Sequence, residues 1–205
     1  MATPGPAAGR PADGTAAVVP AGALAGVPQP RLYAGDLLLR PFAPADAPVL
    51  VAAFADPHIA YWNLEAAMTP AAAAARIADY AAQLAAERAV NWLVADAASG
   101  EPRGRVSLSE VSLWYGGAEA TYWTLPGARG RGVASTALRA AARWGLDRLG
   151  LGRVHLRHSV GNAGSCRVAG RAGFVAEGTH RHALRHADGW HDMHVHSLVA
   201  TDPAG

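Results

Sequence analysis

The sequence contains no lysine, and all 18 of its basic residues are arginines. This absence excludes Schiff-base chemistry and a lysine nucleophile. An excess of Ala, Gly, Pro and Arg makes a GC-rich coding bias the simplest explanation. The arginines are scattered rather than grouped, and the formal net charge is only +2. A nucleic-acid partner is therefore weakly indicated and is not expected.

Cysteine is almost as rare as lysine. Cys166 is the single one, so no disulfide can form within the chain. No apolar run is long enough to cross a bilayer. The first 30 residues also lack the basic segment and leucine-rich core of a secretory signal. We therefore expect a cytoplasmic protein without a membrane partner.

Large side chains are scarce in residues 1–30, which consist mostly of Ala, Pro and Gly. Such a segment buries too little apolar surface to offset the entropy that is lost when it becomes ordered. Composition therefore predicts a disordered tail over 1–30, followed by one globular domain over 31–200.

The spacing of apolar residues predicts a chain in which strands and helices are mixed. The predicted strands are 32–42, 90–95, 104–113, 118–125, 153–159, 174–183 and 190–199. The predicted helices are 44–55, 70–87, 132–149 and 162–172. The fold class is thus α/β, with a mixed seven-stranded sheet and helices on both faces. A shift in the apolar phase at Ser109 and Glu110 predicts a β-bulge.

A loop rich in glycine and arginine joins the strand 118–125 to the helix 132–149. The first amides of a helix have no internal acceptor and point outward at the positive end of its dipole. Gly130 and Gly132 would let the backbone approach a phosphate closely, and nearby arginines add forked donors. The loop therefore predicts a pyrophosphate site.

The glycine spacing of this loop also resembles a degenerate dinucleotide-binding fingerprint. That fingerprint normally belongs to the first strand–helix unit, whereas this loop follows four predicted strands. Its last position is Ser135, and no acidic residue ends the following strand. Both differences argue against a Rossmann fold.

A second motif follows the phosphate loop at a characteristic distance. The two motifs together contain Arg129, Gly132, Ala134, Asn162, Ser165, Gly173 and Phe174. In these motifs the chain, from about Arg31 to Ala200, resembles the GNAT superfamily of N-acetyltransferases. The resemblance is to its ribosomal-protein-alanine acetyltransferase-like (RimJ/RimL-type) branch. It implies a mostly antiparallel sheet that is splayed in the middle, with acetyl-CoA bound in the opening.

The resemblance also implies a set of contacts to acetyl-CoA as co-substrate. Backbone groups of Trp123, Thr124 and Leu125 would pair with the pantetheine arm, and Asn162 would hydrogen-bond to it. The phosphates would be held by Arg129, Gly130, Arg131, Gly132, Val133, Ala134, Ser135 and Arg167.

The reaction that the resemblance implies is direct attack of a primary amine on the thioester in a ternary complex. The acceptor would be a protein N-terminus or a small-molecule amine. Glu119 is the candidate to accept the amine proton, directly or through water. Ser165 is the candidate to protonate the departing thiolate. An exposed strand glutamate and a helix-bonded serine are the structural alternatives for these two residues. Some members of this branch carry a further carboxylate on a later strand. This sequence has no acidic residue there, and His182 is the candidate to replace it as the base.

Six of the nine histidines fall between His180 and His196. No acidic or cysteine ligand completes a metal site among them, so no metal is expected. We interpret these histidines as lining the acceptor cleft. Because family members are often dimers, a homodimer is one expectation for the assembly.

Two other functions remain compatible with the sequence. A non-catalytic acyl-CoA-binding sensor would keep the phosphate loop and lack turnover. A nucleic-acid-binding protein would show a steep salt dependence of binding.

Overall fold

One eight-stranded sheet organises the fold in the computed structural model, which describes residues 16–203. The strands are β1 (Leu32–Ala34), β2 (Leu37–Pro41), β3 (Val90–Asp96), β4 (Pro102–Ser112), β5 (Gly117–Thr124), β6 (Arg153–Ser159), β7 (Val175–His186) and β8 (Gly189–Val199). The helices are α1 (Ala47–Ala55), α2 (Pro57–Asn63), α3 (Pro70–Ala85), α4 (Val133–Asp147) and α5 (Ala163–Arg171). The strand order is β1-β2-β3-β4-β5-β6-β8-β7. All pairs are antiparallel except β5–β6, so the predicted mixed α/β class is confirmed.

The strand count is eight rather than the predicted seven because the first predicted strand is a hairpin. Gly35 has φ +60, a left-handed backbone that reverses the chain between β1 and β2. The short helix α2 was also missed. Asp56 caps it by accepting a hydrogen bond from the Ile59 amide at 2.9 Å. The predicted bulge is confirmed, since the β4–β5 register shifts after Ser109.

Helices cover both faces of the sheet. On one face α4 packs onto the main core, with Ala137, Leu138 and Ala141 buried against the strands. On the other face α1, α2 and α3 enclose a smaller cluster that includes Phe54 and Trp123. Because side chains of a strand alternate between faces, Tyr122 packs on the α4 side and Trp123 on the opposite side.

The middle of the sheet is splayed at its one parallel pair. β5 and β6 pair only through Gly117–Glu119 and Arg153–His155, and the remaining residues of both strands separate. The separation leaves a wedge-shaped opening directly in front of α4. This opening positions the candidate site.

The segment 16–30 corrects the expectation of a disordered tail. Val19 and Leu24 are buried in the main core, each about 1% exposed. The Glu87 carboxylate accepts hydrogen bonds from the amides of Gly22, Leu24 and Ala25. Two buried apolar side chains and three backbone hydrogen bonds to one carboxylate hold a segment of otherwise small residues. Residues 1–15 of the predicted tail lie outside the described residues.

Within residues 16–203, no helix has both the length and the apolar character that a membrane crossing would require.

Candidate active site

A cavity of about 750 Å³ fills the opening between β5 and β6. Its walls come from both faces of the sheet, because the splay lets the space continue from one side to the other. The start of α4 and the helix α5 form one end, and α2 forms the other. The cavity therefore has two ends. The end beside α4 and α5 is the candidate entrance for the cofactor, and the end beside α2 is the candidate entrance for the acceptor.

The loop before α4 presents unpaired backbone amides to this cavity. Gly132 is the N-cap of α4, and Thr136 is the first residue whose amide bonds back to it, at 3.0 Å. Among the described residues, no acceptor lies within hydrogen-bonding distance of the amides of 130–135. Gly130 and Gly132 both have φ +77, and a Cβ added at either would meet nothing within 4 Å. The loop thus has the open backbone of an anion site, and the predicted pyrophosphate site stays a prediction.

The two loop arginines, which were predicted to hold the phosphates, lie in different positions relative to the cavity. The Arg129 guanidinium donates to Asp56 Oδ1 at 2.7 Å, and this hydrogen bond is the main reason that the pKa of Asp56 is lowered. Arg129 also lines the cavity, so it joins the loop to the N-terminus of α2. Arg131 is exposed and does not line the cavity. Arg167 and Arg171 of α5 do line it, beside the cradle.

Only part of the predicted backbone contact to pantetheine is available along the edge of β5. The Leu125 amide donates to the Arg103 carbonyl of β4 at 2.9 Å. Because successive residues of a strand direct their backbone groups to opposite sides, Tyr122 and Thr124 direct theirs into the opening. Trp123 and Leu125 direct theirs to β4, and Leu125 does not line the cavity. Thr124 is therefore the residue of the predicted trio whose backbone edge pairs with no strand, although its carbonyl accepts a hydrogen bond from Arg129 Nε at 3.4 Å.

Asn162 and Ser165 lie at the start of α5, where the sequence placed them. The Asn162 Oδ1 caps the helix by accepting from the Ser165 amide at 3.0 Å. This bond uses the side-chain oxygen, so the side-chain nitrogen of Asn162 can donate to another group. Asn162 also lines the cavity. Both residues are thus available to a ligand in the opening.

Tyr122 is a site residue that the sequence reasoning missed. Its hydroxyl lies 2.6 Å from Ser165 Oγ. Burial raises the pKa of Tyr122 to about 12, so the phenol stays protonated and can donate. The helix 162–172 carries no tyrosine. The strand β5 supplies one instead.

Glu119 lies in the cavity wall on the opposite face of the sheet from Ser165. Both of its oxygens accept hydrogen bonds from Arg157 of β6, at 2.9 and 2.7 Å. The pair joins the two strands at the base of the splay, where direct strand pairing stops at Glu119 and His155. Arg157 was not predicted, because only the parallel register of β5 and β6 brings it to Glu119.

Aromatic residues form the acceptor-side wall. Trp62 of α2 lines the cavity, and its indole nitrogen donates to His58 Nε2 at 3.1 Å. His186 stacks on His191 at 4.1 Å and packs against Trp62. Burial is the largest cause of the lowered pKa of His186. These contacts keep a largely neutral, aromatic surface at this entrance.

His182 does not take part in this wall. Its ring stacks on Trp190 at 4.5 Å, on the exposed β7–β8 hairpin. Neither residue lines the cavity. The β7–β8 register shifts between His180 and Leu184, and β7 reaches the cavity wall through Ala183, Leu184 and His186 rather than through the predicted His182.

Comparisons with known proteins agree with this architecture. The Bacillus subtilis protein YdaF, provisionally named as a ribosomal N-acetyltransferase, is 31% identical over 102 residues, which are 50% of this chain and 56% of that protein. The chain thus matches little more than half the length of this curated relative. RimJ of Mycobacterium smegmatis, solved with CoA-disulfide, has a TM-score of 0.77 at 20% identity, covering 86% of this chain and 88% of RimJ.

A further solved structure shares the fold. Spermidine N-acetyltransferase from Vibrio cholerae, in complex with CoA and spermine, has a TM-score of 0.72 at 20% identity, covering 82% of this chain and 97% of that protein. The family model described as the acetyltransferase (GNAT) domain matches residues 36–175, which is more than half of the chain. The chain therefore belongs to the GNAT acetyltransferase family.

Proposed function

We propose that this protein is an acetyl-CoA-dependent N-acetyltransferase that acts on a primary amine. The observation that carries the proposal is the row of unpaired amides at the start of α4, open to the splay between β5 and β6. A diphosphate fits this cradle because it needs several donors and a positive helix end. RimJ, solved with CoA-disulfide, and the spermidine enzyme, solved with CoA and spermine, support the same ligand.

The pantetheine arm would enter the splay as an additional strand. Thr124 offers the free backbone edge of β5, and Asn162 offers its side-chain amide from the other side. A thioester at the end of this arm would lie between Thr124 and the Tyr122–Ser165 pair. This placement brings the reacting carbonyl close to a free backbone N–H.

The reaction would begin when the neutral amine attacks the thioester carbon. Carbon–nitrogen bond formation converts the carbonyl oxygen to an oxyanion, which the Thr124 amide stabilises. Collapse of the intermediate breaks the carbon–sulfur bond. The departing thiolate takes a proton from Ser165 or Tyr122, the shared hydrogen bond lets the proton pass along the pair, and the oxyanion left on the pair is reprotonated from solvent. CoA thiol and the acetylated amine are the products.

The amine proton leaves on the opposite side of the sheet. Glu119 remains the candidate acceptor for it. The ion pair with Arg157 occupies both carboxylate oxygens, which leaves little of the carboxylate open to direct contact with the amine. We therefore propose a water between the amine and Glu119 rather than direct contact.

The charge of the cavity favours one class of acceptor. Its described wall contains six arginines, namely Arg76, Arg105, Arg129, Arg157, Arg167 and Arg171, but only two glutamates. Those glutamates, Glu65 and Glu119, are each paired with an arginine. A polycationic acceptor would therefore be repelled, whereas a single amine on a partly apolar chain would fit the aromatic entrance. We propose a peptide or protein N-terminus as the preferred acceptor.

The proposal is tested by an acceptor screen with acetyl-CoA and a thiol reagent. The panel contains short peptides with free N-termini, the same peptides with blocked N-termini, spermidine and an aminoglycoside. We expect thiol release with the free peptides and little with spermidine or blocked peptides. Tight acetyl-CoA binding without release against any amine would favour the sensor function instead.

A further inference from the structure

Four side chains with metal-binding atoms converge beneath α5, outside the acceptor wall. They are His158 of β6, Cys166 of α5, and His194 and His196 of β8. One ligand atom from each residue lies within 4.8 Å of all the others. Among the described residues, this group is the one set of three or more such ligands that comes together.

Strand register explains why these residues meet. His158 and His194 are directly paired across β6 and β8, and His196 follows two residues later on the same face. The helix α5 crosses this face and supplies Cys166. The positions are far apart in sequence, so their spacing resembles no ligand motif.

The histidines are oriented as metal ligands usually are. His158 Nδ1 lies 2.9 Å from the Ser159 carbonyl, which makes Nδ1 the protonated nitrogen. This leaves the His158 Nε2 lone pair directed into the cluster, where it lies 3.1 Å from His196 Nε2. A backbone carbonyl that fixes the tautomer in this way is the usual outer partner of a metal-bound imidazole.

Burial argues that the cluster needs a ligand. His158 is 6% exposed and His196 is 4% exposed. His196 Nδ1 is buried and has no hydrogen-bond partner among the described residues. Cys166 and His194 are half-buried, so an ion could reach the site from the surface. Burying a polar nitrogen without a partner, as at His196 Nδ1 among the described residues, is unfavourable.

We propose that His158, Cys166, His194 and His196 form a tetrahedral site for a divalent transition metal of the zinc class. Three imidazoles and one thiolate are a ligand set that suits Zn²⁺. Ligand atoms around zinc lie about 3.3–3.8 Å apart, given bonds of about 2.0–2.3 Å. The observed group, whose ligand atoms lie within 4.8 Å of one another, closes to that size by contracting about 1.0–1.5 Å at most. Binding releases the thiol proton of Cys166 to solvent.

The metal would fasten α5 to β6 and β8. Because α5 also carries Asn162 and Ser165, the metal would stabilise the cofactor side of the cavity from behind. It would take no part in the acetyl transfer, because only His158 of the four ligands lines the cavity and the ion would lie behind it, among Cys166, His194 and His196. The site is thus a structural one, and it does not depend on the proposed function.

The test uses tag-free full-length protein, because an added histidine tag would bind metal itself. The protein is stripped with a chelator and titrated with Zn²⁺ against a colorimetric chelator, and separately with Co²⁺ under absorbance. We expect one equivalent of tight binding, together with a thiolate-to-cobalt charge-transfer band and the visible bands of tetrahedral Co²⁺. We also expect Zn²⁺ to raise the thermal midpoint.

Substitutions of the proposed ligands test whether the ion binds at this cluster. Cys166→Ser and His194→Ala alter half-buried side chains, and each should weaken Zn²⁺ binding by at least about tenfold. Cys166→Ser should also abolish the charge-transfer band. His180→Ala, on the exposed part of β7, is the matched control and should bind as the unaltered protein does. Absence of stoichiometric binding, a cobalt spectrum without a thiolate band, or unchanged binding in both variants would overturn the proposal.

Discussion

The hydroxyl groups of Tyr122 and Ser165 lie 2.6 Å apart, although the two residues are 43 positions apart in the chain. One comes from β5 and the other from α5, on the two sides of the splay. Their contact closes the inner end of the cofactor opening. It also provides a buried proton donor next to the expected position of the thiolate.

Replacing Tyr122 with Phe should lower turnover by about 100-fold, because it removes the hydroxyl that we propose to serve the leaving thiolate. The KM for acetyl-CoA should change little. Steady-state thiol release measures both parameters. Ser165→Ala should have a similar effect, and the double variant should be little worse than either single one, since the two hydroxyls act as a unit. Tyr115→Phe is the control, because Tyr115 is 58% exposed in a turn.

Tyr122 should titrate later than an ordinary tyrosine, because burial raises its pKa to about 12. The folded protein holds this proton more tightly than the unfolded chain, in which the pKa is near 10. The resulting stabilisation is therefore complete below about pH 10 and is lost as the pH rises from about 10 to 12. Phenolate absorbance should show one late-titrating tyrosine that is missing in Tyr122→Phe. A Tyr122-dependent loss of activity near neutral pH would contradict this assignment.

Gly132→Glu should abolish CoA binding, because its carboxylate would occupy the anion cradle. Calorimetry with CoA measures the effect. Gly132 has φ +77, so strain must be separated from charge. Gly132→Asn does this, since asparagine tolerates a left-handed backbone and carries no charge. It should keep far more affinity than the glutamate variant. The control is Gly127→Glu, which places the same charge outside the cavity wall and should bind CoA normally. Full CoA affinity in Gly132→Glu would exclude the loop as the phosphate site.

Glu119→Gln should lower turnover while leaving CoA affinity unchanged, since Glu119 lies on the acceptor side. We expect a decrease of about 10²-fold, the usual range for loss of an acid–base group. The substitution also removes the charge opposite Arg157, so stability must be checked by thermal melting. Glu65→Gln is a matched control, because Glu65 is likewise paired with an arginine in the cavity wall. Full turnover in Glu119→Gln would remove Glu119 from the mechanism.

Leu24→Ala should lower the free energy of unfolding by about 2–5 kcal/mol, because Leu24 is buried in the main core. Denaturant unfolding followed by circular dichroism measures this loss. The nearby Val27 is 52% exposed, so Val27→Ala should change stability by less than about 0.5 kcal/mol. Equal, small effects of the two substitutions would mean that this segment does not pack as described.

Much of the fold was predictable because its signals are local. The Thr69 cap with Pro70, the phase shift at Ser109 and the turn at Gly173 are each written in a few neighbouring residues. The hairpin at Gly35 and the helix α2 were missed for the same reason, since both are short and their signals are weak.

The amino-acid sequence alone determined most of the order of strands and helices, the glycine- and arginine-rich loop before α4 and the residues that open α5, because all of these depend on spacing along the chain. Only the tertiary structure decided that residues 16–30 are packed, that Arg157 holds Glu119 and that Tyr122 meets Ser165. It also decided that Cys166 lies among three histidines. Each of these contacts joins residues from different strands or helices, so it depends on register and packing that no local pattern encodes.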